Sequence, residues 1–215
     1  MSVRPTYLYH STPSTYSTHP TDSTYYAFDE ARAVPETDLL ARARNGDSAV
    51  TQVSKWETKT VDIPPGQKAE VFTYGLCGGT AIAVLSKHGD GTRGITLSHY
   101  PPLSTDDQLS NLEQALNTTS HCISNPNVQH EIYVITPRDR VQDHEGTWIL
   151  QPREQAVVAR INTAAQALLP EIQPQVLLYS ENRTRGESGA FVLSVFRERD
   201  KPIRYQGTHY GACGF

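Results

Sequence analysis

Apolar positions along the chain recur in two periods, and the alternation between them outlines the elements. Val50 to Ile63 scatters Val, Trp and Ile among Ser, Thr and Lys, a pattern that predicts one or two half-buried strands before the turn Pro64-Pro65-Gly66. Glu70–Tyr74 (EVFTY) reads as a strand, and Thr80–Leu85 (TAIAVL) is a continuous apolar run suited to a strand buried on both faces. Gly94–Ser98 (GITLS) follows through His88-Gly89-Asp90-Gly91, a turn signal that predicts a hairpin. His130–Thr136, Gln175–Ser180, Ala190–Arg197 and Ile203–Gln206 complete the predicted strands.

Helical periodicity appears in three places. Glu36–Asn45 reads as a short helix capped near Thr37 and stopped by Gly46. Ser104-Thr105-Asp106-Asp107 caps a second through about Asn117, with Leu109, Leu112 and Leu116 on one face. Arg153–Leu169 is the strongest, its stripe made by Val157, Val158, Ile161, Ala165, Leu168 and Leu169. After the first helix the predicted order is β-β-β-β-α-β-α-β-β-β. The fold class is therefore mixed α/β of the α+β kind, with helices covering a largely antiparallel sheet system.

The pattern stops at the N-terminus. Residues 1–36 are rich in Ser, Thr, Pro and Tyr, and the stretch 11–21 has no aliphatic side chain to bury. Such a segment does not offset its ordering entropy and is expected to be disordered, leaving 37–215 as one domain. A 37% apolar fraction and a mean hydropathy of −0.49 agree with a chain that is packed only in part.

Charge and cysteine content remove several function classes. The net charge of −4 comes with no Lys/Arg cluster, so neither nucleic acid nor an anionic membrane is an expected partner. Apolar runs reach only about five residues, against roughly 20 for a membrane-spanning helix. No secretory leader is legible, and a cytoplasmic protein is expected, with signal-less export as the alternative. Three cysteines, Cys77, Cys122 and Cys213, argue against a disulfide framework. No CxxC or HxxxH spacing occurs, so no metal or other cofactor is expected.

The chemistry concentrates between Phe72 and Leu103. Cys77 stands in a Gly-Leu-Cys-Gly-Gly turn between two predicted strands. Glycines there permit unusual dihedrals and close backbone approach, and the Gly78 and Gly79 N–H groups are candidate oxyanion donors. His99 ends the next strand, and a hairpin turning at 88–92 returns it to the end where Cys77 sits. That is the place for a base that takes the thiol proton. A thiol near its ordinary pKa of about 8.5 is mostly protonated at neutral pH, so it needs such a base. Thr73, Thr80, Ser98 or a backbone carbonyl can orient the imidazole. Taken singly, a strand-side cysteine is a small hydrophobe and a strand histidine a satisfied core residue; their joint placement gives the functional reading. Cys122 and Cys213 read as incidental, and the Asn182–Gly189 loop, with Arg183, Arg185 and Glu187, reads as solvated, with contact to substrate as the alternative.

This segment resembles the bacterial chemoreceptor glutamine deamidase CheD. Leu76-Cys77 followed by Thr80–Leu85 is similar to that family's cysteine turn and strand, and Gly94–Pro101 (GITLSHYP) to its histidine strand. The Cys-then-His order is shared with deamidating toxins such as the cytotoxic necrotizing factors. The resemblance implies a CheD-like layered sandwich of sheets with flanking helices, and hydrolysis of glutamine side chains on a protein substrate. It also implies a polar third residue upstream of the cysteine, for which Thr73 is the nearest equivalent. Leu76 stands where the family has Ser, and the 22-residue separation of Cys77 and His99 is longer than usual. Two other readings stay open: a papain-like or NlpC-like peptidase, which needs a helix after the cysteine, and an inactive CheD-like protein-binding module.

Overall fold

A computed structural model describes residues 36–100, 102, 110 and 128–179, together with the backbone of five further strands, at 25–27, 187–189, 191–196, 199–205 and 208–210. The helix expected over 104–117 lies outside the described residues, apart from Ser110, which is helical. The elements run β1 (Tyr25–Ala27), α1 (Glu36–Arg44), β2 (Val50–Gln52), β3 (Thr58–Ile63), β4 (Ala69–Thr73), β5 (Thr80–Lys87), β6 (Arg93–Tyr100), β7 (Gln129–Gln142), β8 (Trp148–Pro152), α2 (Gln155–Leu168), β9 (Gln175–Tyr179), β10 (Glu187–Gly189), β11 (Phe191–Phe196), β12 (Arg199–Tyr205) and β13 (Thr208–Tyr210).

A larger sheet has the order β1-β9-β7-β5-β6-β3, with β8 paired to the far end of β7. A smaller one runs β12-β11-β4-β2, and β10 pairs with β13. Most pairings are antiparallel, as expected, but β1–β9, β7–β9 and β2–β4 are parallel. α2 connects the β7–β8 hairpin to β9, so the chain returns to the large sheet in the direction that a parallel pairing with β7 requires. The result is an α+β architecture dominated by strands.

Three apolar clusters explain the layering. Alternate residues of β5 and β6 (Ala81, Ala83, Leu85, Ile95, Leu97) face Val53, Ala69, Val71 and Leu76 from the side of the small sheet. The intervening residues, Ile82 and Val84 with Val134, Val176 and Leu178, pack under Val158, Ile161 and Ala165 of α2. Leu39 of α1 covers Val50 and Phe72 on the outer face of the small sheet. The layers are thus helix, small sheet, large sheet, helix. β5 is buried along almost its whole length because both its faces are covered, which is why its sequence is continuously apolar rather than alternating.

Two expectations are revised. Tyr25–Ala27, inside the segment expected to be disordered, forms an edge strand in register with Val176–Leu178. Backbone pairing to an existing edge needs no aliphatic side chains, so the Ser/Thr/Tyr composition did not reveal it. β7 continues beyond Thr136 to Gln142 and turns back through β8, a hairpin that the sequence pattern did not show. Its residues are half-exposed, and Arg140 lies over the Trp148 ring at 4.8 Å, a cation–π pair in place of core burial. Among the described residues no helix is long and apolar enough to cross a membrane.

Candidate functional site

β4 brings Thr73 to its C-terminal end, where the side chain faces the space between the two sheets. β6 brings His99 to the same space from the opposite side, on the face shared with Ala81 and Leu97. The two meet: Thr73 Oγ1 and His99 Nδ1 lie 2.8 Å apart in a buried hydrogen bond. Thr73 is fully buried and His99 is 2% exposed.

Cys77 lies between β4 and β5, in the turn Leu76-Cys77-Gly78-Gly79. The Gly79 N–H donates to the Leu76 carbonyl at 2.5 Å and closes the turn. Gly78 has φ +79°, the left-handed conformation that the third position of such a turn requires and that a side chain would strain. Tyr179, buried on β9, binds the turn from below: its hydroxyl reaches the carbonyls of Leu76 and Gly79, the latter at 2.7 Å. Cys77 itself is partly exposed at the surface end of this arrangement. β5 starts immediately after, with Thr80 opposite Tyr100 and Ala81 opposite His99. The expected hairpin therefore forms, and it returns His99 to the strand end from which the Cys77 turn departs.

Two features of this site differ from expectation. Gly79 does not serve as an oxyanion donor here, because its N–H is committed to closing the turn; that role narrows to Gly78. As expected, the residues after Cys77 form a strand, so no helix N-terminus of the kind the peptidase reading needs acts on the sulfur. Cys77 is disulfide-bonded, against the expectation that the sparse cysteines form no disulfide framework and that Cys77 is a free thiol. The other two cysteines, Cys122 and Cys213, lie outside the described residues. Thr80 and Ser98, the other orienting candidates, bond elsewhere, to Thr136 and Thr58.

The electrostatics of His99 follow from its burial. Removal from water disfavours the imidazolium, and the positive charge of Lys55 adds to the effect, so the pKa falls from 6.5 to about 4. The ring is neutral at physiological pH. For Nε2 to accept a proton, Nδ1 must carry one and donate it to Thr73 Oγ1, and the 2.8 Å contact suits that tautomer.

A residue that sequence reasoning passed over stands against His99. Trp56 N–H donates to the His99 carbonyl at 2.9 Å, and His99 N–H donates to the Glu57 carbonyl at 3.0 Å. Trp56 and Glu57 together oppose one residue of β6, which is the geometry of a β-bulge. The bulge grows out of the turn Ser54-Lys55-Trp56-Glu57, closed by Glu57 N–H to Ser54 carbonyl at 3.0 Å. Trp56 has φ +67°, the only positive φ outside glycine among the described residues, at a cost of about 1–3 kcal/mol. It is also 60% exposed. No one-dimensional pattern signals a tryptophan in a glycine position.

Among the described residues no group of three or more His, Cys, Asp or Glu side chains is placed to hold a metal ion. What the arrangement offers chemically is a sulfur on a tight turn, a backbone N–H beside it, and a neutral, oriented imidazole on the neighbouring strand. No protein-family model matches the chain, and no curated protein matches it.

Proposed function

We propose that the protein is a cysteine hydrolase that deamidates glutamine side chains of a protein substrate, with Cys77 as nucleophile, His99 as general base and acid, and Thr73 as the orienting residue. The observation that carries this reading is the buried 2.8 Å bond between Thr73 Oγ1 and His99 Nδ1, made across two sheets beside the Cys77 turn. A buried histidine bonded through Nδ1 to a threonine, at the strand end from which a glycine-flanked cysteine turn departs, supports nucleophilic catalysis at a carbonyl. Glutamine as the amide rests on the resemblance of 72–103 to the CheD family.

In the reaction, His99 Nε2 takes the Cys77 thiol proton as sulfur attacks the carboxamide carbon. The developing oxyanion is met by the Gly78 N–H. The C–N bond breaks as His99 returns the proton to nitrogen, and ammonia leaves a thioester on Cys77. Water, deprotonated by His99, attacks that thioester; the carboxylate departs, and the proton goes back to sulfur. The cycle starts from the free thiol, so the disulfide at Cys77 must first be reduced.

The test is ammonia release, with conversion of glutamine to glutamate read by mass spectrometry, from unfolded protein substrates incubated with the dithiothreitol-reduced chain. The reading requires activity in the reduced wild type and none in Cys77→Ser. Undiminished turnover by Cys77→Ser overturns it, and peptide-bond cleavage in place of ammonia release would identify a peptidase.

A further inference from the structure

We infer that Trp56 is the docking residue of this site, an aromatic platform for an apolar side chain that flanks the target glutamine in the protein substrate; the inference rests on the reading of Cys77 and His99 as the reacting pair.

Three observations converge on Trp56. Its backbone N–H donates to the His99 carbonyl, and the carbonyl of the adjacent Glu57 accepts from the His99 N–H, so the residue is anchored one hydrogen bond from the proposed base. It occupies the left-handed position of a turn and bulge, which glycine adopts without the strain that a side chain brings. The side chain is nevertheless 60% exposed, so core packing does not account for its presence.

Single exposed apolar residues are ordinary on protein surfaces and by themselves mark nothing. Trp148 supplies the comparison. It is 53% exposed, but it sits in a regular strand with Arg140 over its ring at 4.8 Å. Trp56 differs in carrying backbone strain beside a candidate site, and bulges near reacting groups re-aim side chains. Tryptophan is also the side chain best suited to anchor a partner: large, rigid in two torsions, and apolar with one polar edge. The occupant that fits is an extended substrate segment whose glutamine carboxamide enters toward Cys77 while a neighbouring Leu, Ile or Phe lies against the indole. This assigns the substrate class: glutamines with an apolar neighbour, on an exposed segment of a protein.

The test uses the full chain carrying Cys77→Ser, under reducing conditions, and two synthetic decapeptides with one central glutamine, flanked by leucine in one and by serine in the other. Isothermal titration should show the leucine peptide bound about tenfold tighter, the scale of one anchoring aromatic. Trp56→Gly should abolish that preference without lowering the thermal midpoint, because glycine relieves the positive φ. Trp56→Phe should keep most of the preference. A preference that survives Trp56→Gly, or equal binding of the two peptides, overturns the inference. Ammonia release from the same peptides by the reduced wild type is read separately. Its absence alongside a Trp56-dependent preference would remove the hydrolase reading and leave the docking role standing.

Discussion

His99 is the residue at which fold and chemistry meet, and its burial has a measurable consequence. With a pKa of about 4 in the folded chain and an ordinary value near 6.5 when unfolded, it binds a proton more readily in the unfolded state. Folding is therefore least affected by this residue above pH 6.5. Stability is lost as pH falls from about 6.5 to about 4, by up to about 3 kcal/mol. His130, also held below its usual range by burial and by His88, acts in the same direction. Urea unfolding at a series of pH values should show this slope, and His99→Gln should flatten it in part. The proposed mechanism has its own acid limb: its base must be neutral, so kcat/KM of the reduced chain should persist to about pH 4–5 before it falls. Thr73→Val keeps the volume but removes the bond to Nδ1. It should cost about 1–3 kcal/mol of stability for the buried ring nitrogen left without its partner. Activity should fall about tenfold, the loss of one orienting hydrogen bond. At this scale both partners of the Thr73–His99 bond were legible in the sequence, Thr73 being among the residues named as able to orient the imidazole. The sequence was silent on Trp56, because a positive φ at a bulky residue has no compositional signature. The disulfide at Cys77 was equally hidden, because sparse cysteines carry no spacing that distinguishes a bridge from free thiols.

At the scale of elements, the Cys77 turn depends on β9. The Tyr179 hydroxyl is the side-chain donor that binds the carbonyls at both ends of the turn, Leu76 and Gly79. Tyr179→Phe removes that donor and keeps the ring. It should lower stability by about 1–3 kcal/mol, with the larger effect in local opening: amide hydrogen exchange at 76–79 should quicken more than at β5. The β5–β6 hairpin was legible because its two apolar strands flank a Gly-Asp-Gly turn, and that hairpin carries the argument for pairing Cys77 with His99. β8 was not legible, because its side chains pair with neighbouring strands and solvent rather than with a core, so the alternation that marks a strand is weak. β1 escaped notice for a related reason: its pairing to β9 is made by the backbone.

Taken as a whole, the molecule is a stack of helix, sheet, sheet and helix whose inner layer pair holds the Thr73–His99 bond. Mixed α/β content and the major strands followed from periodicity, whereas the parallel pairings of β7 with β9 and of β2 with β4 did not, since strand direction is set by connections and not by local pattern. The outer α2 layer should be decisive for stability: Ile161→Ala, at a fully buried position against the large sheet, should cost about 2–5 kcal/mol in chemical unfolding. Because α2 packs on the face opposite His99, the same substitution should leave KM unchanged under conditions where the chain is folded.

The central claim is that Cys77, once reduced, is a thiol activated by His99. It is tested most directly by the rate at which 2-chloroacetamide, a small carboxamide electrophile, alkylates each cysteine of the dithiothreitol-reduced chain near neutral pH, mapped by peptide mass spectrometry. The account predicts that Cys77 reacts about tenfold or more faster than Cys122 and Cys213, and that His99→Gln brings it down to their rate. A Cys77 that reacts no faster than the other two, or whose rate is indifferent to His99, would contradict it.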